Sequence, residues 1–234
     1  MLTRQDQAMH ASNMQGALAG HSFHHGIDRA TFSYMYNNMT GTLAMQTLTQ
    51  LRADFDERSK GAMSLPIAGM LVWCVVGVLG ILLPPKAAIL ALVFATGAIF
   101  PLAMAIARLR GEQLLENANP LAKLMGVCVL MVNLLWAVHI PLLMRAPEFV
   151  PLSLGIALGL HWMVYSWVIG HPLGYRHAIL RSAGLVAVWF AFPAHSVSAS
   201  AAVVVAAYAL TITEMRMRRN ALAIPAAAVD TMGA

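Results

Sequence analysis

The sequence predicts an all-α integral membrane bundle of six transmembrane helices, preceded by an amphipathic cytoplasmic helix and with both termini in the cytoplasm. Three observations predict it. Only 11% of the 234 residues are charged and 59% are hydrophobic; a soluble domain carries about 25% charged residues to clothe its surface. The apolar residues gather into stretches near the roughly 20 residues that a spanning helix needs. The basic residues flank those stretches, and nearly all fall on one side once the loops alternate.

Charge and cysteine bound the partners. A net charge of +5 and a pI of about 9.6 would suggest nucleic acid for a soluble domain. Placed at the ends of apolar runs, the same charges read as topology signals and contacts to anionic lipid. Membrane lipids are therefore the expected partners, with a protein partner or a second copy as a further possibility and no nucleic acid. Cys74 and Cys128 sit inside apolar runs, match no CxxC spacing and behave as small hydrophobes. No cofactor is implied. The first forty residues hold no apolar core of about 7–15 residues, so no cleaved signal is expected.

The elements follow in order. Residues 1–40 are His- and Met-rich without periodicity, which predicts a poorly ordered segment; Met35, Met45 and Met63 are alternative initiators. Within residues 41–61, Ala44, Leu48, Leu51 and Phe55 recur at helical spacing. Asp54 with Arg58 and Asp56 with Lys60 form i,i+4 pairs, and Gly61 is a stop. This predicts an amphipathic helix on the cytoplasmic face, or a short solvated lead-in.

The transmembrane domain is expected over residues 65–214, with a basic, then apolar, tail over 215–234. Its spans are Leu65–Leu83, Ala87–Ala107, Leu124–Met144, Phe149–Gly170, Ala178–Phe192 and Val197–Thr213. Pro101 predicts a kink in the second, and NPLAKL (Asn119 to Leu124) a capped start to the third. The last two spans are short, separated by PAHS. A single helix from Gly184 to Tyr208 is the alternative, but it makes the span count odd and throws EMRMRR to the outside. With six spans, thirteen Lys and Arg fall on the cytoplasmic side, Arg181 among them, against Lys86 and Arg145 on the other. A re-entrant hairpin in place of the last two spans keeps that parity and stays open.

The fourth span holds the most chemistry. Gly155 and Gly159 stand in GxxxG spacing on one face with Trp162 and Ser166, a surface for close helix packing inside the bundle or between copies. His161 and Tyr165 lie beside that face, while His139 and Asn133 belong to the third span. Polar groups at such depth need partners. They read either as a ligand-binding polar cavity between the third and fourth spans or as side chains bonded to neighbouring helices. HSFHH (His21, His24, His25) lacks a second cluster, so no metal site is expected. No Asp or Glu lies within a span, and Walker, HExxH and GxSxG motifs are absent; no catalytic residue is assigned.

In order, DERSKGAMSLPIAGMLVW, GAIFPLAMAIARL, NPLAKL and HWMVYSWVIGHPLGY resemble an uncharacterised family of small bacterial multi-spanning proteins, a domain of unknown function. The resemblance covers about residues 54–214. It implies a bacterial cytoplasmic membrane protein, supplies no activity, and marks Lys60, Gly61, Pro101, Asn119, Pro120, His161 and Tyr165 as positions of interest. The leading expectation is a small transporter or ligand-binding membrane protein. Behind it stand a non-catalytic subunit or regulator that binds a protein partner, and an intramembrane lipid-modifying enzyme.

Overall fold

The computed structural model of the chain describes residues 47–59, 62–112 and 118–230; the His-rich segment, Ala44, Lys60 and Gly61 lie outside them. Every regular element among the described residues is helical. A short helix α1 (Leu48–Ser59) precedes α2 (Ser64–Leu82), α3 (Pro85–Gly97) and α4 (Ile99–Arg110). After these come α5 (Pro120–Leu134), α6 (Trp136–Arg145), α7 (Val150–Ile169), α8 (Leu173–Ala191) and the long α9 (Ser196–Asp230).

Four helical stretches are long and apolar enough to cross a membrane: α2, α5 with α6, Pro147–Ile169 and Pro193–Ala221. The pair α3 and α4, bent by 43°, makes up to five. The bend has a local cause. Pro101 has no N–H to give the carbonyl of Gly97, four residues earlier, and the helix breaks at Ala98. The predicted fifth span is not among the candidates. Its helix begins at Leu173 rather than Ala178, which brings Arg176 and His177 into the segment with Arg181 and lowers its hydropathy. The alternative of one helix from Gly184 to Tyr208 fails, because the chain turns at Phe192 and Pro193–His195.

Helix α9 packs along α2 and α8, and α8 packs back along α7. Trp73, Leu92, Leu154, Leu185 and Val204 fill the centre, while Ile81, Phe94, Leu109, Met144 and Phe190 are each more than 70% exposed. Apolar surface on that scale is unsuited to water.

Helix α1 is docked rather than free. Phe55 is buried beneath it. Asn119 caps α5 by accepting from the Leu121 amide at 2.8 Å, with Pro120 at the first helical position. Its Nδ2 donates to the Leu51 carbonyl (2.8 Å) and to Asp54 (2.7 Å). The Asn119 amide and the Arg58 guanidinium, 2.7 Å from Asp54, hold the Asp54 carboxyl below its usual range. Arg52 donates to the Trp167 carbonyl at 2.6 Å and lies over the Trp167 ring. Asp56 accepts from both terminal nitrogens of Arg218 on α9, at 3.2 and 2.6 Å. Partly exposed pairs contribute about 0.2–1 kcal/mol, so Asp56→Ala is expected to loosen α1 without unfolding the bundle. Hydrogen exchange should then accelerate in α1 while the amides of α7 stay protected.

Candidate functional site

The site grows out of the α7–α8 turn. Gly170 takes the left-handed conformation (φ 63°) that ends α7, and the chain reverses over His171 and Pro172. Ser166 pins the reversal: its hydroxyl donates to the His171 carbonyl at 2.7 Å and accepts from the Tyr175 amide at 2.9 Å. Gly174 then lies directly against the Trp162 carbonyl, where a Cβ would collide with backbone. Farther along the same contact, Gly159 faces the Arg181 side chain and Gly155 faces Leu185, so both glycines are occupied by α8 of the same chain.

That close approach brings Arg181 to the middle of the bundle. It is fully buried, at 0% exposure. Its Nε donates to the Gly155 carbonyl at 2.7 Å. The Trp73 ring from α2 and the Tyr208 ring from α9 lie 5.4 and 5.7 Å from the guanidinium carbon, and the Tyr208 hydroxyl comes within hydrogen-bonding reach of the guanidinium. Gly69 makes room for that hydroxyl, which a Cβ there would meet at 2.5 Å. Both terminal nitrogens, Nη1 and Nη2, are buried without a hydrogen-bond partner.

His177, one turn earlier on α8, stacks on Trp162 with ring centroids 4.6 Å apart and meets Tyr208 edge-on at 5.0 Å. Its Nδ1 lies 2.9 Å from the Thr211 hydroxyl, whose own proton goes to the Ala207 carbonyl. Thr211 therefore accepts, Nδ1 carries the proton, and Nε2 is left buried and unpaired. The Nε1–H groups of Trp73 and Trp162 are unpaired as well.

The magnitudes show how incomplete the compensation is. A desolvated cation–π contact contributes about 2 kcal/mol and a hydrogen bond from a charged donor about 1.5–3 kcal/mol. Burying an ion costs several kcal/mol, and each donor left unpaired adds about 1–3 kcal/mol. The rings, the Tyr208 hydroxyl and the Gly155 carbonyl hold the guanidinium in place but leave Nη1 and Nη2 without a well-formed hydrogen bond.

The residues singled out from the sequence divide among three places. His161 lies near this centre, its ring 5.7 Å from that of Trp162 and within electrostatic range of Arg181 and His177. Tyr165 packs edge-on against Trp162 at 5.5 Å and lies within electrostatic range of Asp56 and Arg218. His139 is buried elsewhere, its Nδ1 3.4 Å from Ser153 and its ring edge-on to Trp136. Ser153 precedes His161 by two turns, roughly 12 Å of helix. Asn133 is exposed and gives its amide to the Val129 carbonyl of its own helix. The four do not share a cavity.

A fifth span that starts at Ala178 leaves His177 outside it and makes Arg181 a charge near its cytoplasmic end, so that span by itself does not mark either residue as interior. Arg181 is instead an interior side chain of α8. One signal was available: Gly174, His177, Arg181 and Leu185 recur at spacings of three, four and four, the stripe of a buried helix face. Among the described residues no group of three or more His, Cys, Asp or Glu is placed to hold a metal.

Residues 48–218 match the family of unknown function DUF7010, and the chain belongs to that family. No curated protein and no solved structure matches it.

Proposed function

We propose, starting from that membership, that the chain is a small multi-pass membrane protein of the ligand-binding or transporter type, whose polar interior between α2, α7, α8 and α9 receives a ligand. The observation that supports it is a concentration of unanswered polar atoms. Trp73 Nε1, Trp162 Nε1, His177 Nε2 and both terminal nitrogens of Arg181 are buried without partners in one cluster. Native interiors pair about 90% or more of such groups, so a cluster of exceptions marks a place where something else does the pairing. His161 and Tyr165 both pack against Trp162 beside it.

The topology we adopt is six spans with both termini in the cytoplasm. At 19 residues α8 equals α2 in length, and His177 and Arg181, which lower its hydropathy, face inward. The end that carries α1 also carries Arg52, Arg58, Arg108, Arg110, Lys123, Arg176, Arg216, Arg218 and Arg219, whereas Lys86 and Arg145 lie at the other. That imbalance favours the α1 end as cytoplasmic.

The test is native mass spectrometry of protein released from mild detergent, wild type beside His161→Ala and His177→Ala. The expected result is a discrete bound mass on the wild type that both variants lose while remaining monodisperse. Bulk lipid alone, equal in all three samples, would remove the basis of the reading.

A further inference from the structure

We infer that the group Arg181 awaits is an oxyanion, a carboxylate or phosphate, gripped end-on by Nη1 and Nη2. The inference rests on the ligand-binding reading above and names the chemistry of that ligand. Three observations converge on it.

The first is the absence of a counter-charge within reach among the described residues. Asp54 pairs with Arg58, Asp56 with Arg218, Glu112 with Arg110 and Glu214 with Arg176. Glu57 and Glu148 are exposed. These carboxylates lie at the ends of the bundle; none bridges to the buried guanidinium. A buried cation normally keeps an anionic partner, so the missing one has to arrive from outside the described chain.

Direction is the second. The Gly155 carbonyl occupies Nε, and the rings of Trp73 and Tyr208 flank the guanidinium. Apart from the nearby Tyr208 hydroxyl, what stays without a well-formed hydrogen bond is the edge bearing Nη1 and Nη2, two parallel donors whose spacing matches the two oxygens of a carboxylate or phosphate.

The third is the character of the surroundings. The unpaired Nε1–H groups of Trp73 and Trp162 can only donate. With both terminal nitrogens of Arg181 they are four donors against one acceptor, the unprotonated Nε2 of His177, so the unpaired atoms of the cluster ask chiefly for acceptor oxygens. A cationic or purely apolar ligand leaves these groups as they are.

An oxyanion reaches the site either as a free solute or as a lipid headgroup, and one experiment separates the two. Full-length protein in nanodiscs of phosphatidylcholine is titrated with inorganic phosphate, acetate and acetamide, reading the fluorescence of the tryptophans around the site. Parallel samples with Arg181→Lys, which keeps the charge but not the fork, and Arg181→Met, which fills the volume without charge, are titrated alike. Saturable quenching by phosphate or acetate, weakened at least tenfold in Arg181→Lys, lost in Arg181→Met and absent with acetamide, is the expected result for a free solute. Silence toward these probes, with the wild type but not Arg181→Met retaining phosphatidylglycerol over phosphatidylcholine from mixed nanodiscs, assigns the oxyanion to a headgroup. The inference is overturned if Arg181→Met binds like the wild type, if acetamide binds as tightly as acetate, or if the wild type selects neither probe nor anionic lipid. A discrete uncharged mass lost in His177→Ala would then leave the pocket standing without its anion. Should Arg181→Met fail to assemble, Arg181→Lys and the acetate–acetamide comparison decide.

Discussion

Gly174→Ala is expected to destabilise the protein by about 3 kcal/mol, the upper end of the range for overpacking a tight contact. The added methyl meets the Trp162 carbonyl, with the Ser166 hydroxyl 3.0 Å away. Backbone cannot swing aside as a side chain can, so α8 must lift from α7 over their whole contact. Lipid does not soften the effect, because close packing rather than expulsion of water holds membrane helices together. Gly126→Ala is the control. Nothing lies within 4 Å of a Cβ there, and replacing an open helical glycine with alanine stabilises by roughly 0.5–1 kcal/mol. Thermal unfolding in detergent should show a large fall for the first substitution and none for the second. Equal melting temperatures would mean that α7 and α8 are not in this register.

The second large effect is expected at Glu112. One of its oxygens accepts from the Met63 amide (3.2 Å), the Ser64 amide (3.0 Å) and the Ser64 hydroxyl, and the other from Arg110 at 2.6 Å. A carboxylate from beyond α4 thus caps the start of α2, a place where negative charge is favoured. Glu112→Ala leaves the fully buried Ser64 without that acceptor, and the loss of a cap together with a stranded donor comes to about 2 kcal/mol. Partial burial pushes the Glu112 carboxyl up, but the hydrogen bonds from Ser64, Arg110 and the two amides outweigh it and hold the group below its ordinary 4.5. A depressed folded value means the stabilisation is complete above about 4.5 and disappears as pH falls through the folded value. The difference in melting temperature between wild type and Glu112→Ala should therefore be widest near neutral pH and shrink in acid. A constant difference would show that the cap acts by shape alone.

Much of the helical layout was legible because apolar length and flanking charge are properties of short windows. Leu65–Leu83 and Phe149–Gly170 lie within a residue of α2 and α7, and Pro101 marked the break between α3 and α4. What escaped depends on partners distant in sequence. Arg181 scores as a charge that ends an apolar run unless Gly155, Gly159, Trp73 and Tyr208 are known to surround it. Helical spacing offers Asp56 its neighbour Lys60, which lies outside the described residues, but gives no sign of Arg218 on α9, with which Asp56 pairs. His139 and His161 looked alike as intramembrane histidines, yet the turn at Gly170 gives only His161 a polar neighbourhood on α8.

The charges carried by α8 also bear on how such a protein is made. On the six-span topology, this helix reaches the translocon with Arg176, His177 and Arg181 still unpartnered. A single arginine at the centre of a helix adds about 2.5–3.5 kcal/mol to its insertion. Leu173–Ala191 is therefore a poor passenger by itself, and its hydrophobic neighbours α7 and α9 must hold the nascent chain at the bilayer until all three enter together. Biogenesis would then favour late, concerted integration of the C-terminal half over one-by-one release of its helices.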